Sequence, residues 1–152
     1  MIRPAQDADA TAIAFIRTEA IRQLAIRAYE QPQLHAWLQA PSAGELNANT
    51  RKLTLVDEFA SQLRGFAQLD LACAEIARIY VAPRHARQGV GMGLLRELEA
   101  QASRHGLDRL VIDATLNAVP FYAHAGYRVQ ARVVHRLAGG IDFTCMAMEK
   151  VL

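Results

Sequence analysis

Cysteine is scarce. Only Cys73 and Cys145 occur, far apart and matching no metal-ligand spacing. No disulfide framework is expected, and a reducing cytoplasm is the expected location. The histidines form no HxH or HxxxH pair, so no metal site is expected. No uncharged apolar run approaches the ~20 residues that cross a bilayer, so no membrane role is expected. Charges interrupt the apolar residues from Arg3 onward, which argues against a secretory signal. Excess charge is also missing. The net value is +2, and the basic residues are scattered apart from a cluster at Arg84, His85 and Arg87. That pattern lacks the continuous basic stripe of a nucleic-acid binder. It suits one small polyanionic ligand.

Core material is plentiful. The 152 residues are 52% hydrophobic and 21% charged, which fits one globular domain over 1–152. "MIRPA" reads as a short strand stopped by Pro4, with Asp7 or Asp9 capping a helix to about Ala28. "EQPQLHAWLQAPS" reads as a second helix and "SAGELNANTR" as a loop or single helical turn. "KLTLVDEF", "RGFAQLDL" and "AEIARIYV" are strand-like, and Pro83 ends the third. Leu94, Leu95, Leu98 and Ala102 mark a helix to about His105, stopped by Gly106. "RLVIDAT" reads as a central strand and "AVPFYAHAG" as a short helix. "YRVQARVVHRL" and "IDFTCMAMEKVL" close the chain as a hairpin turning at Gly139-Gly140. The expected class is α/β, a mixed, mostly antiparallel central sheet flanked by helices.

Between the third strand and its helix lies "RHARQGVGMGLL". Gly89, Gly91 and Gly93 sit at alternate positions where the helix starts. The first N–H groups of a helix lack internal partners and carry partial positive charge. Small residues there let a phosphate approach closely. The glycines could instead serve only a tight turn and close helix packing. A P-loop is excluded, because no GKS or GKT follows. The dinucleotide fingerprint is not met either, since the spacing is G-x-G-x-G and the segment falls late in the chain. Binding of ATP or NAD stays as an alternative.

"IYVAPRHARQGVGMGLL" resembles the acyl-CoA-binding motif of the GNAT superfamily of N-acetyltransferases. "FYAHAGYR" resembles the later "Y…GF" segment of that superfamily, and "IRPA", "MEKVL" and the element order are also typical. "HAWLQAPS" resembles a bacterial branch of uncharacterised acetyltransferases. One departure stands out: Ala86 occupies the usual Gln or Arg position, and Arg87 and Gln88 carry the polar groups.

The resemblance implies acetyl-CoA as cofactor. Its pyrophosphate would lie on the N–H groups of Gln88, Gly89, Val90, Gly91, Met92 and Gly93, with Arg87 beside them. Its pantetheine arm would run along Ile79, Tyr80 and Val81 like an added strand, and the sheet would splay after Val81. Thr115, Asn117 and Phe121 complete the implied cofactor site. Tyr122 would be the acid, since a phenol of pKa about 10 stays protonated at neutral pH. Glu75 would be the base, with Asp70 in reserve and His35 and Asp113 behind it. Tyr29, His35, Trp37, Phe66 and Met146 are candidates for the acceptor pocket. The implied partner is a primary amine of a small molecule or peptide, and the chain could form a homodimer. A non-catalytic acyl-CoA sensor is the alternative from another class.

Overall fold

Two buried faces build the first hairpin. In β2 (Lys52–Phe59) and β3 (Gln62–Asp70), the pair Leu55–Ala67 faces one side of the sheet. The next pair, Val56–Phe66, faces the other. The turn between them holds Ala60 and Ser61 at φ 49° and 61°, a tight hairpin without glycine. The computed structural model describes residues 1–40 and 52–152. The segment 42–51 expected as a loop lies outside the described residues.

The remaining elements are β1 (Ile2–Pro4), α1 (Ala10–Leu24), α2 (Gln31–Gln39), β4 (Glu75–Val81), α3 (Val90–Arg104), β5 (Arg109–Thr115), α4 (Val119–His124), β6 (Arg128–Leu137) and β7 (Ile141–Val151). They form one seven-stranded sheet of order β1-β2-β3-β4-β5-β7-β6. Every neighbouring pair is antiparallel except β4–β5. The expected class therefore holds: a mixed, mostly antiparallel sheet flanked by helices.

Helices cover both faces. The Leu94, Leu95, Leu98 and Ala102 stripe of α3 packs on Leu55, Ala67, Leu69, Ile76, Leu110 and Ile112. On the opposite face, Ile13 and Ile16 of α1 meet Val56 and Phe66. Ile21 and Ala25 join Leu34 of α2 over Phe143 and Cys145. The first helix ends at Leu24, short of Ala28. A turn follows in which the Ala28 N–H donates to the Ala25 carbonyl, and it brings Tyr29 into the core.

The splay lies elsewhere than the sequence suggests. β4 and β5 share one ladder pair, Glu75–Val111, supported by the Val111 N–H bonding to the Ala74 carbonyl at 3.0 Å. From Ile76 onward β4 has no ladder partner on that side among the described residues. The sheet is therefore open along β4 before Val81, because a register set at Glu75 lets the two parallel strands diverge from there. Along the same strand, the β3–β4 register shifts between Gln68 and Leu69, a bulge of the kind that sharpens local twist.

Candidate active site

The splay is one wall of a cleft of about 770 Å³. That volume is typical of a small-molecule site. Ile79, Tyr80 and Val81 form its β4 side, and Thr115 and Asn117 stand at the end of β5. The start of α3 closes one end with Arg87, Gly89, Val90, Gly91 and Met92. Phe121 and Tyr122 of α4 form the floor, and Trp37 borders the acceptor side. These predicted residues come together around one space.

The α3 start has the geometry of an anion cradle. Arg87 and Gly89 both have left-handed backbone, φ 64° and 83°. Gly89 caps the helix, and Val90 buries its side chain to anchor the first turn. The Gly93 N–H already donates to the Gly89 carbonyl at 2.9 Å. The N–H groups of Val90, Gly91 and Met92 precede that first helical bond and have no intrahelical acceptor. A Cβ on Gly91 would lie 3.4 Å from both Phe121 Cε2 and Val81 Cγ2. This glycine sits where α3, β4 and α4 converge.

Several predicted residues stand apart from the cleft wall. Gly93 does not line it, and its N–H is engaged. Gln88 points its amide to the Arg84 carbonyl at 3.3 Å and bridges the turn. Glu75 sits at the closed end of the splay, where the Cys73 thiol donates to its carboxylate at 3.8 Å. Asp113 of β5 bonds His135 Nε2 of β6 at 2.8 Å across β7. Phe66 is 2% exposed and packs against Tyr80 inside the α1 layer. His35 lies exposed on α2 beside Gln39. Tyr29 and Met146 border a separate shallow hollow of about 370 Å³. Of the five residues expected at the acceptor pocket, Trp37 is the one among the described residues that lines the cleft.

Other residues take part without having been expected. His85 and His124 line the cleft, and His85 Nε2 is enclosed without a hydrogen-bond partner among the described residues. Ala20, Leu24 and Ala25 bring the end of α1 to the acceptor side. Arg17 is 4% exposed and donates to the Trp37 carbonyl at 2.7 Å and the Leu38 carbonyl at 3.4 Å. It holds the end of α2, where the helix dipole favours a cation. Its signal is present in the sequence: Arg17 lies four residues from both Ile13 and Ile21, on the buried stripe. Gly65 is the other. A Cβ there would lie 2.9 Å from the Tyr80 carbonyl oxygen and 3.1 Å from Val90 Cγ1. A lone glycine inside a strand is the mark of such a close approach.

The phenols of the cleft stay neutral. Burial pushes Tyr122, which is 4% exposed, well above the usual tyrosine range. Burial also raises Tyr80, with Arg17 and Arg78 pulling the other way. A neutral Tyr122 is a hydrogen-bond donor beside a pocket floor of aromatic carbon.

Comparison with known proteins agrees with this geometry. The Acetyltransferase (GNAT) domain family matches residues 18–150. A structure described as a GCN5-related N-acetyltransferase, aminotransferase class II, from Rhodopseudomonas palustris superposes with TM-score 0.93 at 30% identity. It covers 100% of this chain and 95% of that one. PaiA N-acetyltransferase of Thermoplasma acidophilum, solved with coenzyme A, shares the fold at TM-score 0.76 and 21% identity, covering 100% of this chain and 98% of that one. The uncharacterized N-acetyltransferase YjcF of Bacillus subtilis is 38% identical over 55 residues, which are 36% of this chain and 39% of that protein. The splayed sheet, the glycine turn opening α3 and the matched span together make this chain a member of the GNAT acetyltransferase family.

Proposed function

We propose that the protein transfers an acetyl group from acetyl-CoA to a primary amine of a small molecule or peptide. The observation that carries this reading is the set of N–H groups at Val90, Gly91 and Met92 that lack a helical acceptor and have no other partner among the described residues, on the same cleft as Tyr122. Those groups suit a pyrophosphate, and the exposed Arg87 adds charge beside them. The edge of β4 from Ile79 to Val81, without a strand partner on the β5 side among the described residues, suits an extended amide-bearing arm. When bound, acetyl-CoA supplies the acetyl group as an activated thioester.

The chain's own residues orient that group and manage protons. Tyr122 holds its hydroxyl proton because burial disfavours the phenolate. Its role is donation toward the departing sulfur, chiefly as a hydrogen bond. Glu75 is the proposed base for the ammonium proton. It lies off the cleft wall, so the proton reaches it through solvent. We read the protein as cytoplasmic, consistent with a free exposed thiol at Cys73.

Acetyl-CoA turnover with a panel of amines, followed by free-thiol release, tests the reading. Failure to bind coenzyme A at millimolar concentration in calorimetry refutes it. The place of Glu75 off the cleft wall favours one second reading, a non-catalytic acyl-CoA sensor. Tight cofactor binding without turnover on any amine would support that one.

A further inference from the structure

The Tyr29 hydroxyl stands at a junction of three parts of the fold. It donates to the Thr144 carbonyl of β7 at 2.7 Å. It accepts from the Leu116 N–H at 2.9 Å. Leu116 directly follows the last β5–β7 ladder pair, Thr115–Cys145. Its neighbours Thr115 and Asn117 both line the cleft. Tyr29 itself lies in the connection between α1 and α2. Its ring stacks on Phe143 at 4.3 Å and meets Trp37 edge-on at 5.9 Å. Trp37 borders the cleft from the acceptor side. One buried hydroxyl thus joins the end of β5 to the helices across from it.

We propose that Tyr29 is a positioning residue for the cofactor wall: its hydroxyl fixes the Thr115–Asn117 segment against the acceptor-side helices, and cofactor affinity depends on that tie. The inference rests on the reading that the cleft takes coenzyme A. It assigns Tyr29 no contact with the ligand. The physical reason is that Leu116 has left the ladder and its N–H has this phenol as acceptor. Without it the segment is held by one fewer buried bond, and ordering it falls to the ligand.

The test compares two tyrosines. Tyr29→Phe removes the tie. Tyr127→Phe is the control, since its buried hydroxyl bonds Glu99 at 3.1 Å away from the cleft. Both changes should lower the melting temperature. Only Tyr29→Phe should weaken coenzyme A, by about tenfold in calorimetry. It should raise the acetyl-CoA KM by a similar factor while kcat at saturation holds. A merely structural role would reduce the active fraction and leave KM alone. Equal dissociation constants for Tyr29→Phe and wild type overturn the proposal, as does an equal weakening by Tyr127→Phe. Should Tyr29→Phe not fold, hydrogen exchange of the wild type decides. Without ligand the Leu116 amide should already be protected by the phenol, and exchange at the rate of the free chain refutes the tie. Wild-type protein that binds no coenzyme A overturns the cleft reading and this inference together, before any variant is made.

Discussion

Replacing Gly91 by valine is the sharpest probe of the anion cradle. A Cβ at this position would already touch Phe121 Cε2 and Val81 Cγ2 at 3.4 Å. The two γ-methyls reach further. They either displace the Phe121 ring or stand up into the cleft over the N–H groups of Gly91 and Met92. Folding should weaken moderately. Valine gains about 0.4 kcal/mol over glycine in helix propensity, set against a packing cost of about 1–3 kcal/mol. Binding should change much more. Two bonds to a charged phosphate are worth about 1.5–3 kcal/mol each, so their loss weakens coenzyme A by a factor of about 100 or more. Arg87→Ala removes one exposed cation, worth about 1 kcal/mol or less. Its effect should stay below about fivefold. Calorimetric titration of coenzyme A into the two variants measures the difference. Comparable losses would show that the Arg87 side chain matters as much as the backbone, and the cradle argument would fail.

Tyr122→Phe should leave coenzyme A binding intact and lower kcat by about a hundredfold or more in the thiol-release assay, and Glu75→Gln should lower kcat by about tenfold or more with binding unchanged. Full turnover by both variants would remove these two residues from the chemistry. Gly65→Ala places a Cβ 2.9 Å from the Tyr80 carbonyl. It should cost about 1–3 kcal/mol and lower the melting temperature by roughly 3–10 °C; an unchanged melting curve would show that α3 adjusts freely. The Arg3 guanidinium, at 2.8 and 3.1 Å, holds the Asp9 carboxyl below the usual carboxylate range. A depressed folded value means the stabilisation is present above the unfolded pKa and is lost as pH falls through the folded one. Arg3→Met should therefore flatten the acid limb of stability in urea titrations run from neutral pH downward, and an unaltered limb would count against the pair.

Sequence reading reaches some of this structure and not the rest, for reasons of range. The strand-like run at 52–59 and the leucine stripe of α3 are local patterns, and both elements form where those patterns lie. Gly139 and Gly140, both at positive φ, turn the last hairpin as their type requires. Ala60 and Ser61 do the same work without carrying any such mark. The splay depends on a parallel register between strands separated by a whole helix, and no local pattern encodes where that register begins. Phe66 and Trp37 show a second limit. An aromatic residue has the same signature whether it faces a core or a cleft, and only the packed helices distinguish them. Arg17 and Gly65 are legible after all. Each breaks the rule of its own element, a charge on an apolar stripe and a glycine within a strand.

The solitary Glu75–Val111 pair has a mechanical consequence. Seven strands count as one sheet, but mechanically the molecule is two plates of four and three strands riveted at one corner. What keeps the plates aligned elsewhere is the helical layer, with α3 bearing on β1 to β5 and α4 on β5 and β6. A ligand lying in the gap with its amides against β4 would act as a second rivet at the far corner. Stiffness of the whole sheet then becomes a property of the loaded protein rather than of the chain alone.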